Sequence, residues 1–194
     1  MANRNTQGFG LVPAGTLGQT PATSGTGKYK IDAGYATTIF HGGAVASAAG
    51  YIVNGQTAAA PILGVLNGIF YNDATTKKPT FANFYNQPIT PADSEDTTAF
   101  VLDNPNQLFV GAIDAAAAQA EYGKTYGLTV TAAGSDLSGQ SSSTLTYATR
   151  HATNNQWRLV RSAEDPENDE NAAFRSVVVA HNLNQYFTGA VSWA

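Results

Sequence analysis

The feature that most constrains this chain is its densest apolar run, residues 61–73 (PILGVLNGIFYND). Gly64 and Gly68 interrupt the run, and Asn72 with Asp73 closes it. Each interior glycine would weaken a helix by about 1 kcal/mol relative to alanine, whereas strands accept glycine at bulges and where another backbone comes close. The run therefore reads as a central strand pair or one bent strand. Apolar residues in succession need cover on both faces, so the neighbouring segments have to wrap it.

Those neighbours look like more strands. Short β-branched or aromatic runs at 28–31, 36–40, 44–46 and 51–53 are separated by Gly34, Gly42 with Gly43, Gly50, and the Asn54-Gly55 turn. Further runs follow at 98–102, 107–110, 126–130, 143–147, 157–160 and 174–180, with an exposed loop at 75–79. Turn signals every eight to ten residues between such runs predict an all-β fold, a compact antiparallel β-barrel or sandwich. One short helix is expected at 114–122, with Asp114 at its start and Gly123 as its stop, and it needs docking to be stable. Residues 1–27 carry Gly8, Gly10, Gly15, Gly18, Gly25 and Gly27 with Pro13 and Pro21, and show no period. A disordered terminus is one reading of it, but Phe9, Leu11, Val12 and Leu17 give this segment apolar teeth, so it is taken as an extended N-terminal arm lying on a neighbouring subunit, ahead of a single β-rich domain over 28–194.

Composition narrows the function. A chain of 194 residues suits one well-buried domain. Charged residues make up only 12%, about half the usual share, so the surface is polar through amides and hydroxyls and favours packing against other proteins. The net charge of −4 and the scatter of the ten basic residues argue against a nucleic-acid partner. The chain has no cysteine, which removes disulfides and thiolate metal sites. No stretch approaches the roughly 18 apolar residues of a membrane-spanning helix, so no membrane partner is expected.

No residue set carries a defensible catalytic, cofactor or metal signature. Residues 25–28 imitate a phosphate loop, but Tyr29 stands where a magnesium-binding hydroxyl belongs and no strand precedes them. Residues 134–139 lack the spacing of a nucleophile elbow. His41, His151 and His181 are far apart and read as structural. The acidic run 164–170 lacks the glycine and final glutamate of a calcium loop, and Asp93, Glu95 and Asp96 have no rigid frame for acid-base work. The chain is thus expected not to be an enzyme and to hold no cofactor or metal. Phe81, Phe84 and Tyr85, in a span rich in Asn and Pro, read first as an irregular loop whose rings cover one end of the barrel and second as a binding patch; on the second reading they and the apolar end with Tyr186, Phe187 and Trp193 join Phe9, Leu11, Val12 and Leu17 as the candidate partner-binding residues.

The order of motifs at 29–31, 39–45, 61–71, 99–105 with Phe109, 122–124, 143–145 and 177–182 resembles the layout of small structural proteins of tailed-bacteriophage virions. In particular it is similar to the decoration, or cement, proteins on the outside of the capsid. The resemblance implies a non-enzymatic β-rich protein, made in the host cytoplasm, that binds the assembled shell of the major capsid protein from outside. It further implies a homotrimer that locks adjacent capsomers. A tail or head-tail junction component is the second structural reading. A carbohydrate-binding β-domain, stacking sugars on Phe81, Phe84 and Tyr85, is the alternative from another class.

Overall fold

A computed structural model describes residues 5–18, 25–55, 59–87, 89–129, 134–169 and 171–187. Among them the architecture is all-β, built as two sheets. The first sheet combines β1 (Val12–Thr16) with β8 (Gln107–Ile113), β9 (Thr125–Leu128), β10 (Leu145–His151), β11 (Trp157–Ser162) and β12 (Arg175–His181). Its order is β1-β8-β10-β9-β11-β12, and β12 pairs back onto β8, closing a five-stranded barrel. The second sheet is β2 (Gly27–Ile31), β7 (Thr97–Leu102), β5 (Gly64–Asn72), β3 (Ala44–Ala48) and β4 (Tyr51–Asn54), with β6 (Pro79–Ala82) added to the far half of β5. It curls until β2 approaches β4 without hydrogen-bonding to it. The second lobe is therefore inserted between β1 and β8 of the barrel.

The apolar run is one bent strand, β5, at the centre of the second sheet. Leu66 and Ile69 lie three residues apart and would face opposite sides of a regular strand. A register slip between Leu66 and Gly68 inserts an extra residue, so both side chains enter the same core with Ile31, Val45, Ile52, Val101 and Tyr85. On the other face Val65 joins Ile62, Ala44 and Leu102 in the barrel's core, packed with Phe109, Tyr126, Trp157 and Val179. One strand thus serves both cores. Its cover is incomplete, because the outer face beyond Gly68 lies open to solvent at Phe70.

The expected arm is different. Residues 5–18 are built into their own barrel: β1 lies along the same edge of β8 that β10 uses further on, Gly10 N–H donates to the Ser143 carbonyl, and Leu11 N–H donates to Gly42. Leu11 is a core residue at 1% exposure, so it is not available to a partner. The approach is close enough to require glycine. A Cβ on Gly10 (φ +73°) would sit 2.8 Å from the Gly42 carbonyl oxygen. The boundary expected at residue 27 therefore falls inside the fold, which is divided instead between the inserted sheet and the barrel.

The expected helix at 114–122 is replaced by a single 3-10 turn, Gln119–Glu121. Its intended N-cap is engaged elsewhere, since the Asp114 Oδ1 accepts from the Tyr147 N–H at 2.8 Å. The buried Arg175 guanidinium donates to the Ala117 carbonyl and, at 2.8 Å, to the Tyr122 hydroxyl. With its polar groups claimed by two strands, a segment of about ten residues gains more from docking extended than from marginal helical bonds. The run at 36–40 likewise yields only an isolated bridge, Ile39 to Tyr85.

A C-terminal strap, residues 182–187, joins the lobes. Gln185 N–H donates to the Ile62 carbonyl, and its side-chain amide makes a reciprocal pair with the Ser47 backbone at 2.7 and 3.0 Å.

Candidate interaction surface

The outer face of the second sheet is assembled by register. Across β6, β5, β7 and β2 one row runs Phe81, Phe70, Thr98, Lys30, and the next runs Gly68, Phe100, Lys28. Directly opposed residues share a face, so three phenylalanines from three strands meet with two lysines at their margin. The Phe81 and Phe100 rings lie 6.0 Å apart, tilted at 43°. Phe81 is 65% exposed and Phe70 39%. Gly68 lets the Phe81 ring lie down on the sheet, because a Cβ there would come within 2.7 Å of the ring. Lys30 Nζ donates to the Thr98 hydroxyl at 3.2 Å, which holds its charge beside the rings. The inner half of the same face is covered by the barrel through Val65 and Leu102. The face is therefore half core and half surface.

The structure separates the aromatic group expected at 81–85. Phe81 alone belongs to the open face. Phe84 is half-buried and stacks on Phe40 at 5.5 Å, nearly parallel. Tyr85 is buried at 1% exposure, with its hydroxyl donating to the Tyr35 carbonyl at 2.8 Å, so it serves the core rather than a partner. Phe70 and Phe100 complete the cluster: Phe70 sits inside the run read as covered on both faces, and Phe100 inside a run read simply as a strand. Alternation within β5 and β7 was the available signal. It is broken in β5 by the bulge.

The other candidates are dispersed. Val12 and Leu17 are exposed on and just after β1, and Phe9 is half-buried with its carbonyl accepting from Gln140 Nε2 at 2.6 Å. Tyr186 and Phe187 are exposed on the strap, Phe187 at 73%. Trp193 lies outside the described residues. Leu137, on the 135–139 turn of the barrel lobe, is almost fully exposed and was not singled out.

The polar groups are engaged structurally. Tyr29 hydroxyl donates to Asp103 Oδ2 at 2.5 Å and meets the Tyr186 hydroxyl, tying the strap to β2. Burial, then the Asp103 hydrogen bond, pushes the Tyr29 phenol up, so it stays a neutral donor. Burial also opposes ionisation of Glu121, but hydrogen bonds from Tyr126 (2.7 Å) and Lys124 (2.9 Å), with the Lys124 and Arg150 charges, outweigh it and hold the carboxyl below its usual range. Asp93 pairs with Lys77 at 3.5 Å, and Glu164 with Arg161 at 3.2 Å. His41 Nδ1 faces the Asn67 carbonyl at 3.1 Å, and His151 Nδ1 accepts from the Thr153 N–H. His181 is buried against Trp157 and Phe109, and neither ring nitrogen has a hydrogen-bond partner among the described residues. Among the described residues no three metal-ligating side chains gather, and no helix is long and apolar enough to cross a membrane.

What the arrangement offers is an aromatic face with a basic margin. No protein-family model matches the chain, and neither a curated protein nor a solved structure is significantly similar to it.

Proposed function

We propose that this chain is a non-enzymatic structural protein of a tailed-bacteriophage virion that binds the outer surface of the assembled major capsid protein shell and stabilises it. The observation that carries the reading is the open Phe70–Phe81–Phe100 face, an apolar patch on a chain otherwise poor in charge. Contiguous exposed aromatics mark partner sites, and aromatic rings dominate the energetics of such contacts. Lys28 and Lys30 select a shell surface whose apolar centre has an acidic margin. The motif order described above adds the virion context, and a homotrimer is the assembly it implies.

Cryo-electron microscopy of the source particle tests the proposal. Density for this chain is expected on the outside of the shell at a copy number matching the capsid symmetry, and its absence from the shell would overturn it. A low copy number confined to one vertex or to the tail would favour the junction reading instead. The Phe70→Ala/Phe81→Ala double variant should lose occupancy on purified shells while keeping its melting temperature.

A further inference from the structure

A recess lies at the mouth of the inserted lobe, away from the aromatic face. It holds about 410 Å³; Asp73, Asn86, Thr90 and Asp136 line it beside the Tyr71 and Phe84 rings, with the aliphatic Ala82 and Ile89 completing the wall. Its walls come from the end of β5, the 83–91 loop and the 134–139 turn of the barrel, so both lobes contribute. The mouth of a curled sheet is a recurrent place for small-ligand sites, and the volume falls in their usual range of roughly 300–1,000 Å³.

Each wall is fixed by the fold. Phe40 covers one face of the Phe84 ring, and the remaining ring surface lines the cleft. Asn83 Nδ2 donates to the Ser138 carbonyl at 2.7 Å, holding the 83–91 loop to the turn that carries Asp136. Asp73 Oδ1 accepts from the Thr75 N–H, the Thr76 N–H and the Thr76 hydroxyl at 3.0, 2.7 and 3.0 Å. These bonds, the Thr76 N–H above all, hold its carboxyl below the usual range, and they leave Oδ2 outside the turn. Residue 73 also bridges to Pro91 across the hairpin, which sets the far wall.

The chemistry of the lining selects a ligand class. Two carboxylates are acceptors for hydroxyl donors, Asn86 both donates and accepts, and Thr90 supplies a hydroxyl. An aromatic ring beside them attracts C–H edges to its negative face. Among the described residues no lysine, arginine or histidine lines the cleft, so a phosphate, sulfate or carboxylate meets two carboxylates with no countercharge. An apolar ligand would strand the carboxylates without partners. A polyhydroxylated neutral ring, with hydroxyls on its rim and C–H groups on its face, satisfies every group at once.

We infer that this cleft is a binding site for the end of a neutral saccharide, with the Phe84 ring as stacking surface and the Asp73 and Asp136 carboxylates as acceptors for its hydroxyls.

The test uses the full chain on a panel of neutral oligosaccharides ending in hexose or N-acetylhexosamine, beside the same panel sialylated or sulfated, with titration calorimetry on the best ligand. Binding to neutral members is expected, and their anionic counterparts should bind at least about 10-fold more weakly. Asp136→Ala, on an exposed turn, should weaken neutral binding about 10-fold or more, in keeping with the loss of a charged hydrogen bond. Phe84→Ala should do the same, with its melting curve read alongside because the ring is half-buried. Phe81→Ala, on the other face, should leave binding unchanged. Absence of neutral binding, preference for the anionic panel, or binding indifferent to Asp136→Ala would each overturn the inference, without bearing on the sheet face proposed to meet the shell.

Discussion

The barrel and the inserted sheet are built from strands of similar length, yet they treat their surfaces in opposite ways. In the barrel β12 returns to β8, so the ring has no free edge and its interior takes Trp157, Phe109, Tyr126 and Val179 at zero exposure. Two of its charged side chains are absorbed as well, with Arg175 fully buried and Glu121 enclosed by Tyr126 and Lys124. The inserted sheet curls without closing. Its inner face is a core of the same kind, but half of its outer face leaves Phe70 and Phe81 exposed beside a partly covered Phe100. Closure satisfies a sheet by itself, whereas an open sheet is completed by whatever is laid on it. The contrast leaves one lobe closed on itself and the other with an open face, the face proposed above to meet a partner.

The sharpest way to break that division is to compare substitutions of large aromatics in each lobe. Trp157→Ala should cost about 3–5 kcal/mol, because it empties a fully buried site in the closed ring. Chemical denaturation at neutral pH reads this directly, and a loss under about 1 kcal/mol would contradict the packing described.

Acid should come next in size and should act through the barrel. Burial lowers the His181 imidazole from its ordinary value of 6.5 to about 4. The unfolded chain then binds a proton that the folded chain refuses, so the contribution of neutral His181 is present above pH 6.5 and is lost as pH falls from 6.5 to about 4. The loss amounts to about 3 kcal/mol when complete. A His181→Phe variant should show a flatter stability profile across that window, measured by denaturation at several pH values. An unchanged profile would remove His181 as the cause.

The strap is a smaller lever on the same contrast. Gln185→Ala removes the reciprocal pair with Ser47 and should cost about 1–2 kcal/mol, since two hydrogen bonds of ordinary strength are lost. If the lobes are held together chiefly by this strap, hydrogen exchange should rise first at β3 and β4. Uniform change across both lobes would instead point to the shared β5 core as the coupling element.

Phe81→Ala should have the least effect on stability, within about 0.5 kcal/mol, because the ring is largely in water. Its expected consequence is loss of shell binding. A large stability loss here would mean that the open face is internal cover, which would undo the distinction between the lobes.

Much of the architecture was legible in the order of residues. The strands at 44–46, 51–53, 98–102, 107–110 and 157–160 appear within the elements found, and of the two readings of 61–73, a strand pair or one bent strand, the second agrees with β5 over Gly64–Asn72. The helix at 114–122 was misread because alanine content and an acidic first residue are local signals, and the Tyr147 amide and the Arg175 guanidinium that claim this segment come from distant strands. The arm was misread for a related reason. Glycines at 8 and 10 look like flexibility in sequence, yet Gly8 packs against the Ser142 and Ser143 carbonyls and Gly10 against Gly42.

The candidate surface was legible only in part. Phe81 was named, but its sequence neighbours Phe84 and Tyr85 are directed into a cleft wall and into the core. The cleft escaped notice because its lining is drawn from residues 71 to 136, with no motif connecting them.

By itself the sequence determined that this protein is built of strands and that it carries little charge. Tertiary structure alone decided which face each side chain occupies. Strand residues alternate between two sides, so one bulge at Asn67 and the pairing of distant strands determine whether a phenylalanine becomes core or contact.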